Sequence, residues 1–162
     1  MLVNNLTALN ILPQEQLNLA HLHETSELNR YRWLTLSFQP FDSPISRLMS
    51  AIGMECAHRI LNLQEVARQM ELSACVNTDQ MMKISLPNKN IQHFFVVDEL
   101  MGRHALVGAE EAANATCTYF GWLLETNATP ELHKLLFNCL TQKNNEYHVL
   151  QECREQRKLG LF

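Results

Sequence analysis

Twice in this chain a hydroxyl residue stands directly before a proline, at Ser43-Pro44 and at Thr129-Pro130, and the second pair runs on into Glu131. A hydroxyl can accept from the free N–H groups of a first turn, and proline is preset to helical φ with no N–H to lose there. An acidic residue in that turn meets the positive end of the helix dipole. Each pair therefore predicts a helix start. Elsewhere breakers are scarce, with five glycines and five prolines in 162 residues, and Pro13 and Pro40 bracket another long segment. Four helices follow, at about 14–39, 44–72, 91–125 and 130–158, each about 40–50 Å long at 1.5 Å per residue.

The links between them set the expected topology. Helices one and two, and helices three and four, are joined by short connections, so each pair reads as an antiparallel hairpin. The stretch 73–90 shows no clear period and contains Pro87. About 18 residues of extended chain reach roughly 50 Å, enough to run the length of the bundle. The fold expected is all-α: a four-helix bundle of two antiparallel hairpins joined by a long crossover, within one domain covering 1–162.

Bulk properties narrow the function classes. The formal net charge is −4, which gives no electrostatic footprint for nucleic acid. No apolar run approaches the roughly 20 residues that span a bilayer. The N-terminus lacks a basic region followed by an apolar block, so no secretory leader is expected. The five cysteines form no Cys-x-x-Cys pair. They read as reduced thiols in a cytoplasmic protein.

The informative residues are charges on apolar stripes. In helix one, steps of three and four connect Leu17, His21, Glu24, Leu28, Tyr31, Thr35 and Phe38, which places Glu24 mid-stripe. In helix two the line runs through Leu48, Ile52, Glu55, His58 (or Arg59), Asn62 and Val66. Glu55 and His58 are three apart and can reach one point. In helix three it runs through Phe94, Val97, Met101, His104, Gly108, Glu111, Ala115, Thr118, Trp122 and Glu125. In helix four it runs through Leu132, Leu135, Cys139, Gln142, Glu146, Val149 or Leu150, and Cys153. Each stripe thus carries one central glutamate. Converging buried carboxylates repel one another unless a cation holds them. An oxygen-rich set with one imidazole suits iron first and manganese second. Glu24 and Glu55 are 31 residues apart and Glu111 and Glu146 are 35, the spacing of a repeated hairpin.

At these residues the chain resembles the ferritin-like domain of rubrerythrins, without their rubredoxin module. Glu24-Thr-Ser-Glu-Leu-Asn-Arg-Tyr31 is similar to their first-helix motif, Glu55-Cys-Ala-His58 to the second-helix Glu-x-x-His, and Glu111 with Tyr119 to the third-helix pattern. The resemblance implies a ferritin-like bundle with a di-iron site, and redox chemistry with dioxygen or peroxide. Two departures stand out. Asn114 replaces the extra third-helix glutamate of the family. The last Glu-x-x-His is broken and reads as Asn145-x-x-His148 or as Glu146-x-x-Val149. Helix phase favours Glu146 as the inward ligand, while residue type selects His148, which a one-residue bulge could re-aim by about 100°.

The expected metal ligands are therefore Glu24, Glu55, His58, Glu111 and Glu146, with His148 as the alternative, around two transition-metal ions. Three functions compete. The first is a di-metal oxidoreductase activating dioxygen or peroxide, including a hydroxylase with a small-molecule substrate and an electron donor. The second is metal handling without an organic substrate. The third is a structural or interaction module whose metal site has decayed. A homo-oligomer, as a dimer, is expected, with no nucleic-acid or membrane partner; a cage-like oligomer would favour the metal-handling reading.

Overall fold

The computed structural model describes residues 10–76 and 94–158. Among them are four long helices: α1 (Pro13–Phe38), α2 (Ser43–Gln69), α3 (Glu99–Glu125) and α4 (Pro130–Lys158), with a short 3₁₀ turn at Ser73–Cys75 after α2. No β-strand occurs among the described residues; a single bridge links Ile11 and Asn127.

The ends of the helices are set by local chemistry. The cap of α2 is Asp42, one residue before the serine that the sequence suggested; its carboxylate accepts from Ile45 N at 3.1 Å. α2 stops at Gln69, three residues short of the expected end. Glu71 adopts φ 61° there, Leu72 N donates to Ala67 O at 2.7 Å and Glu71 N to Arg68 O at 3.1 Å. This is a Schellman closure with glutamate in the left-handed position that usually takes glycine. α3 begins at Glu99, where Asp98 accepts from Met101 N at 2.8 Å. Residues 94–98 are irregular, and the start expected near 91 lies outside the described residues. α4 has the bounds the sequence predicts.

α1 packs chiefly on α2 and α3 on α4, with lesser contacts of α1 to α3 and α2 to α4. Backbone bonds fix the directions. Ile11 N donates to Thr126 O at 3.0 Å, holding the start of α1 at the end of α3. Val96 N donates to Ser37 O at 3.0 Å, holding the entry of α3 at the end of α1. At that same end Arg157, late in α4, binds Asp42 and Glu99, at the starts of α2 and α3. The chain leaves α2 at one end of the bundle and enters α3 at the other; residues 77–93, which would carry the crossover, lie outside the described residues.

The interior is layered. One apolar cluster, around Phe38, Ile45, Met49, Ile60 and Leu106, fills one end. Another, around Leu17, Leu63, Phe120, Leu123 and Leu132, fills the other. Between them along every helix lies a polar layer: Glu24 and Glu27 from α1, Arg59 from α2, Thr116 from α3, and Lys143 and Glu146 from α4.

Candidate functional site

α1 buries the stripe read from its sequence: Leu17, His21, Glu24, Leu28, Tyr31 and Phe38 are all buried. α4 does so in part: Leu132, Cys139, Glu146, Leu150 and Cys153 are buried, but Leu136 and Lys143 are buried in place of Leu135 and Gln142, which are half-buried. α2 and α3 are rotated. α2 buries Ile45, Met49, Ile52, Cys56, Ile60 and Leu63, a more continuous apolar line than the one through Glu55. That turn of roughly one residue, about 100°, sends Glu55 and His58 outward to exposed positions and brings Cys56 and Arg59 inward. α3 buries Leu106, Ala109, Ala113, Thr116, Phe120 and Leu123, leaving Glu111 and His104 exposed. His148 is exposed as well. Of the six expected ligands, only Glu24 and Glu146 reach the interior.

Their partners there are cations of the protein itself. Arg59, 2% exposed, donates from Nε to Glu24 Oε1 at 3.2 Å. From Nη2 it donates to the Glu146 carboxylate at 2.8 and 3.2 Å. Its Nη1 donates to Gln142 Oε1 at 2.9 Å, and Nη2 also lies 3.2 Å from Cys56 Sγ. Lys143, also 2% exposed, sets Nζ 2.8 Å from Glu24 Oε1 and 4.0 Å from Glu146 Oε2. Its ammonium stands over the Phe120 ring, 5.6 Å from the centroid. Two carboxylates and two cations make a neutral tetrad.

The electrostatics follow from this burial. Desolvation raises the Glu146 pKa from its ordinary value even against the pull of Lys143 and Arg59. Desolvation lowers Lys143 more than any single neighbour raises it, but Glu24, Cys56 and Glu146 together outweigh it and its pKa rises. Arg59 rises likewise, through Glu24 and Glu146. Burial lifts the Cys56 and Cys139 thiols to about 12, so both stay protonated at neutral pH and are poor metal ligands.

A second polar group adjoins the tetrad. Glu27, 3% exposed, takes hydrogen bonds from Thr116 Oγ1 and Arg30 Nη2. His23 Nε2 lies 3.0 Å from Thr116 Oγ1 and 3.5 Å from the Glu27 carboxylate, and its ring stacks on Tyr119 at 4.4 Å. Burial alone would raise Glu27, but His23, Arg30, Lys143 and Thr116 together hold its pKa down at about 2.

These residues do not fit a two-metal centre. Among the described residues no three His, Cys, Asp or Glu side chains form a group that could hold a metal ion. A metal entering the tetrad would add charge to a set already neutral and would have to expel Arg59 and Lys143 from carboxylates they bind at hydrogen-bonding distance. Sequence reasoning named Arg59 only as an alternative to His58 and missed Lys143 and Glu27. The signal was present: Lys143 lies four residues after Cys139 and three before Glu146, and Glu27 is three after Glu24. No family model matches the chain, and no curated protein or solved structure matches it either.

Proposed function

We propose that this chain is a ferritin-like bundle that has replaced metal ions with its own side-chain cations, and that it serves as a structural or interaction module. The observation that carries the reading is the placement of Arg59 and Lys143 between Glu24 and Glu146. A ferritin-like di-metal protein sets one glutamate on the first and third helices and a Glu-x-x-His pair on each of the other two. Here the inward pairs at that spacing are Cys56-x-x-Arg59 on α2 and Lys143-x-x-Glu146 on α4, with Glu24 alone on α1. Each pair contributes one cation. α3 brings Thr116 to the layer, where a di-metal protein needs a carboxylate. The parallel course of α2 and α3 accords with a crossover between hairpins.

The oxidoreductase and metal-handling readings both need a cluster of free donors, and here Glu24 Oε1 and both Glu146 oxygens are engaged by Arg59 and Lys143, leaving only Glu24 Oε2 of the two carboxylates without a partner. The test is anaerobic ferrous loading of the purified full chain, followed by desalting and elemental analysis. The expected result is iron no higher than in a heat-denatured control. Stoichiometric iron would overturn the proposal. A combined variant, Cys56→Glu, Arg59→His, Thr116→Glu, Lys143→Glu and Glu146→His, rebuilds the ligand pattern in the inward register. It is expected to take up metal where the parent chain does not.

A further inference from the structure

α3 carries a second ordered face, directed away from the core. Leu100, His104, Val107, Glu111 and Ala115 fall within about 80° of one another at 100° per residue, and Gly108 borders them. All are exposed, Leu100 at 65% and Val107 at 39%. Among the described residues, the charged or titratable groups of this face, Arg103, His104 and Glu111, make no ion pair. Gly108 stands mid-helix, where glycine is the least favourable residue after proline. A Cβ built on it would meet nothing within 4 Å, so packing inside the chain does not require a glycine there.

The geometry points to self-association: this face docks on the same face of a second copy, antiparallel, about a two-fold axis beside Val107 and Gly108. Such an axis pairs residues whose numbers add to a constant, so a self-complementary pattern must read the same from both ends. This one does. Glu111 of each copy meets His104 of the other as a hydrogen-bonding partner, and the adjacent Arg103 supplies the opposite charge, twice across the axis. Val107 faces Gly108, and Leu100 faces Ala115, so a larger apolar side chain meets a smaller residue at each step. The opposed helix dipoles add to the attraction. An axis placed at Glu111 would set like charges together and is disfavoured. The occupant is a second copy of this chain, because the charge that Glu111 lacks is the one the same helix carries eight residues away, at Arg103. The inference is independent of whether the core holds metal.

The test is sedimentation of the full chain across a concentration series. The expected result is a reversible dimer. Glu111→Lys should weaken it at least about tenfold, and adding His104→Glu to that variant should restore it, because the pair is then re-formed with its signs exchanged. Gly108→Leu should abolish association while circular dichroism shows helix content undiminished, since leucine is the better helix former at an exposed site. A chain that stays monomeric throughout would overturn the proposal. A dimer whose affinity is the same in the Gly108→Leu and Glu111→Lys variants would overturn it too, by placing the interface elsewhere.

Discussion

The polar middle of this bundle and the apolar layers on either side share the same four helices and the same degree of burial, yet they hold together by different physics. Around Leu63 and Phe120, or Phe38 and Met49, burial is non-directional, and loss of one side chain costs in proportion to the cavity it leaves. Around Glu24 and Glu146 each charge depends on particular donors, and loss of one partner strands another charge in the buried interior. The apolar layers are tolerant and the polar layer is all-or-none. That contrast is what makes the polar layer a poor device for gaining stability and a good one for fixing helix register.

The strongest test removes one cation. Lys143→Met keeps the side-chain volume and leaves Glu24 with Arg59 alone. By the cost of orphaning a buried ion-pair member, unfolding free energy should fall by about 3–5 kcal/mol. In a domain of this size that lowers Tm by roughly 10 °C. Urea denaturation measures it; a loss no larger than that of an exposed substitution would show the tetrad to be loosely held.

Acid should act next most strongly, through Glu27. Its pKa of about 2 in the fold lies below the ordinary value of 4.5. The group therefore stabilises the fold fully above its unfolded pKa, and loses that contribution as pH falls from about 4.5 through about 2. The contribution is roughly 3 kcal/mol. Glu146 acts in the opposite sense: its pKa is raised in the fold, so its part of the stability declines as pH rises through the window above 4.5. Stability measured against pH in the parent chain and in Glu27→Gln should differ in slope below pH 4.5, the variant being flatter. Equal slopes would detach Glu27 from the acid response.

The reverse experiment replaces the whole tetrad with apolar residues: Glu24→Leu, Arg59→Met, Lys143→Met and Glu146→Leu. Buried ion groups exchanged together for packed hydrophobes are often neutral, or stabilising by about 1–4 kcal/mol. The expected outcome is a protein at least as stable as the parent, with unchanged helix content. A large loss would mean that the tetrad does more than neutralise itself.

What the residues disclosed, and what they did not, follows the same division. Helix number and three of the four starts could be read to within a residue, because caps and prolines act locally. The stripe of α1 and most of that of α4 could be read from steps of three and four through their buried residues. α2 and α3 each offer two such lines. On α2 the line through Ile45, Met49, Ile52 and Ile60 competes with the one through Leu48, Glu55 and Val66, and on α3 the line through Leu106, Phe120 and Leu123 competes with the one through Val97, His104 and Trp122. Choosing between them needs the facing helices, which periodicity alone does not contain. Lys143 escaped notice for another reason. A lysine on an apolar stripe is ordinarily read as reaching out to water with its head group. Only the convergence of α1 and α2 on the same point shows that it turns inward to Glu24.

The smallest expected effect is the one that best separates motif from structure. Glu55-x-x-His58 is the pair that most resembles a metal ligand set, and both side chains are exposed on the outer side of α2. Neither makes an ion pair among the described residues. An i,i+3 pair on a helix surface contributes about 0.2–0.5 kcal/mol at most. Glu55→Ala, His58→Ala and the double variant should therefore lie within about 0.5 kcal/mol of the parent in urea. Alanine is the better helix former at both positions, so the sign should lean towards stabilisation. The same measurement repeated with excess ferrous iron adds the decisive comparison. A ligand that binds only the folded state raises its stability by mass action, so a working site at Glu55 and His58 would make the parent chain more stable in iron and the double variant not. Here iron should leave both unchanged, because the rotation of α2 that buries Cys56 and Arg59 turns the motif about 100° away from Glu24 and Glu146.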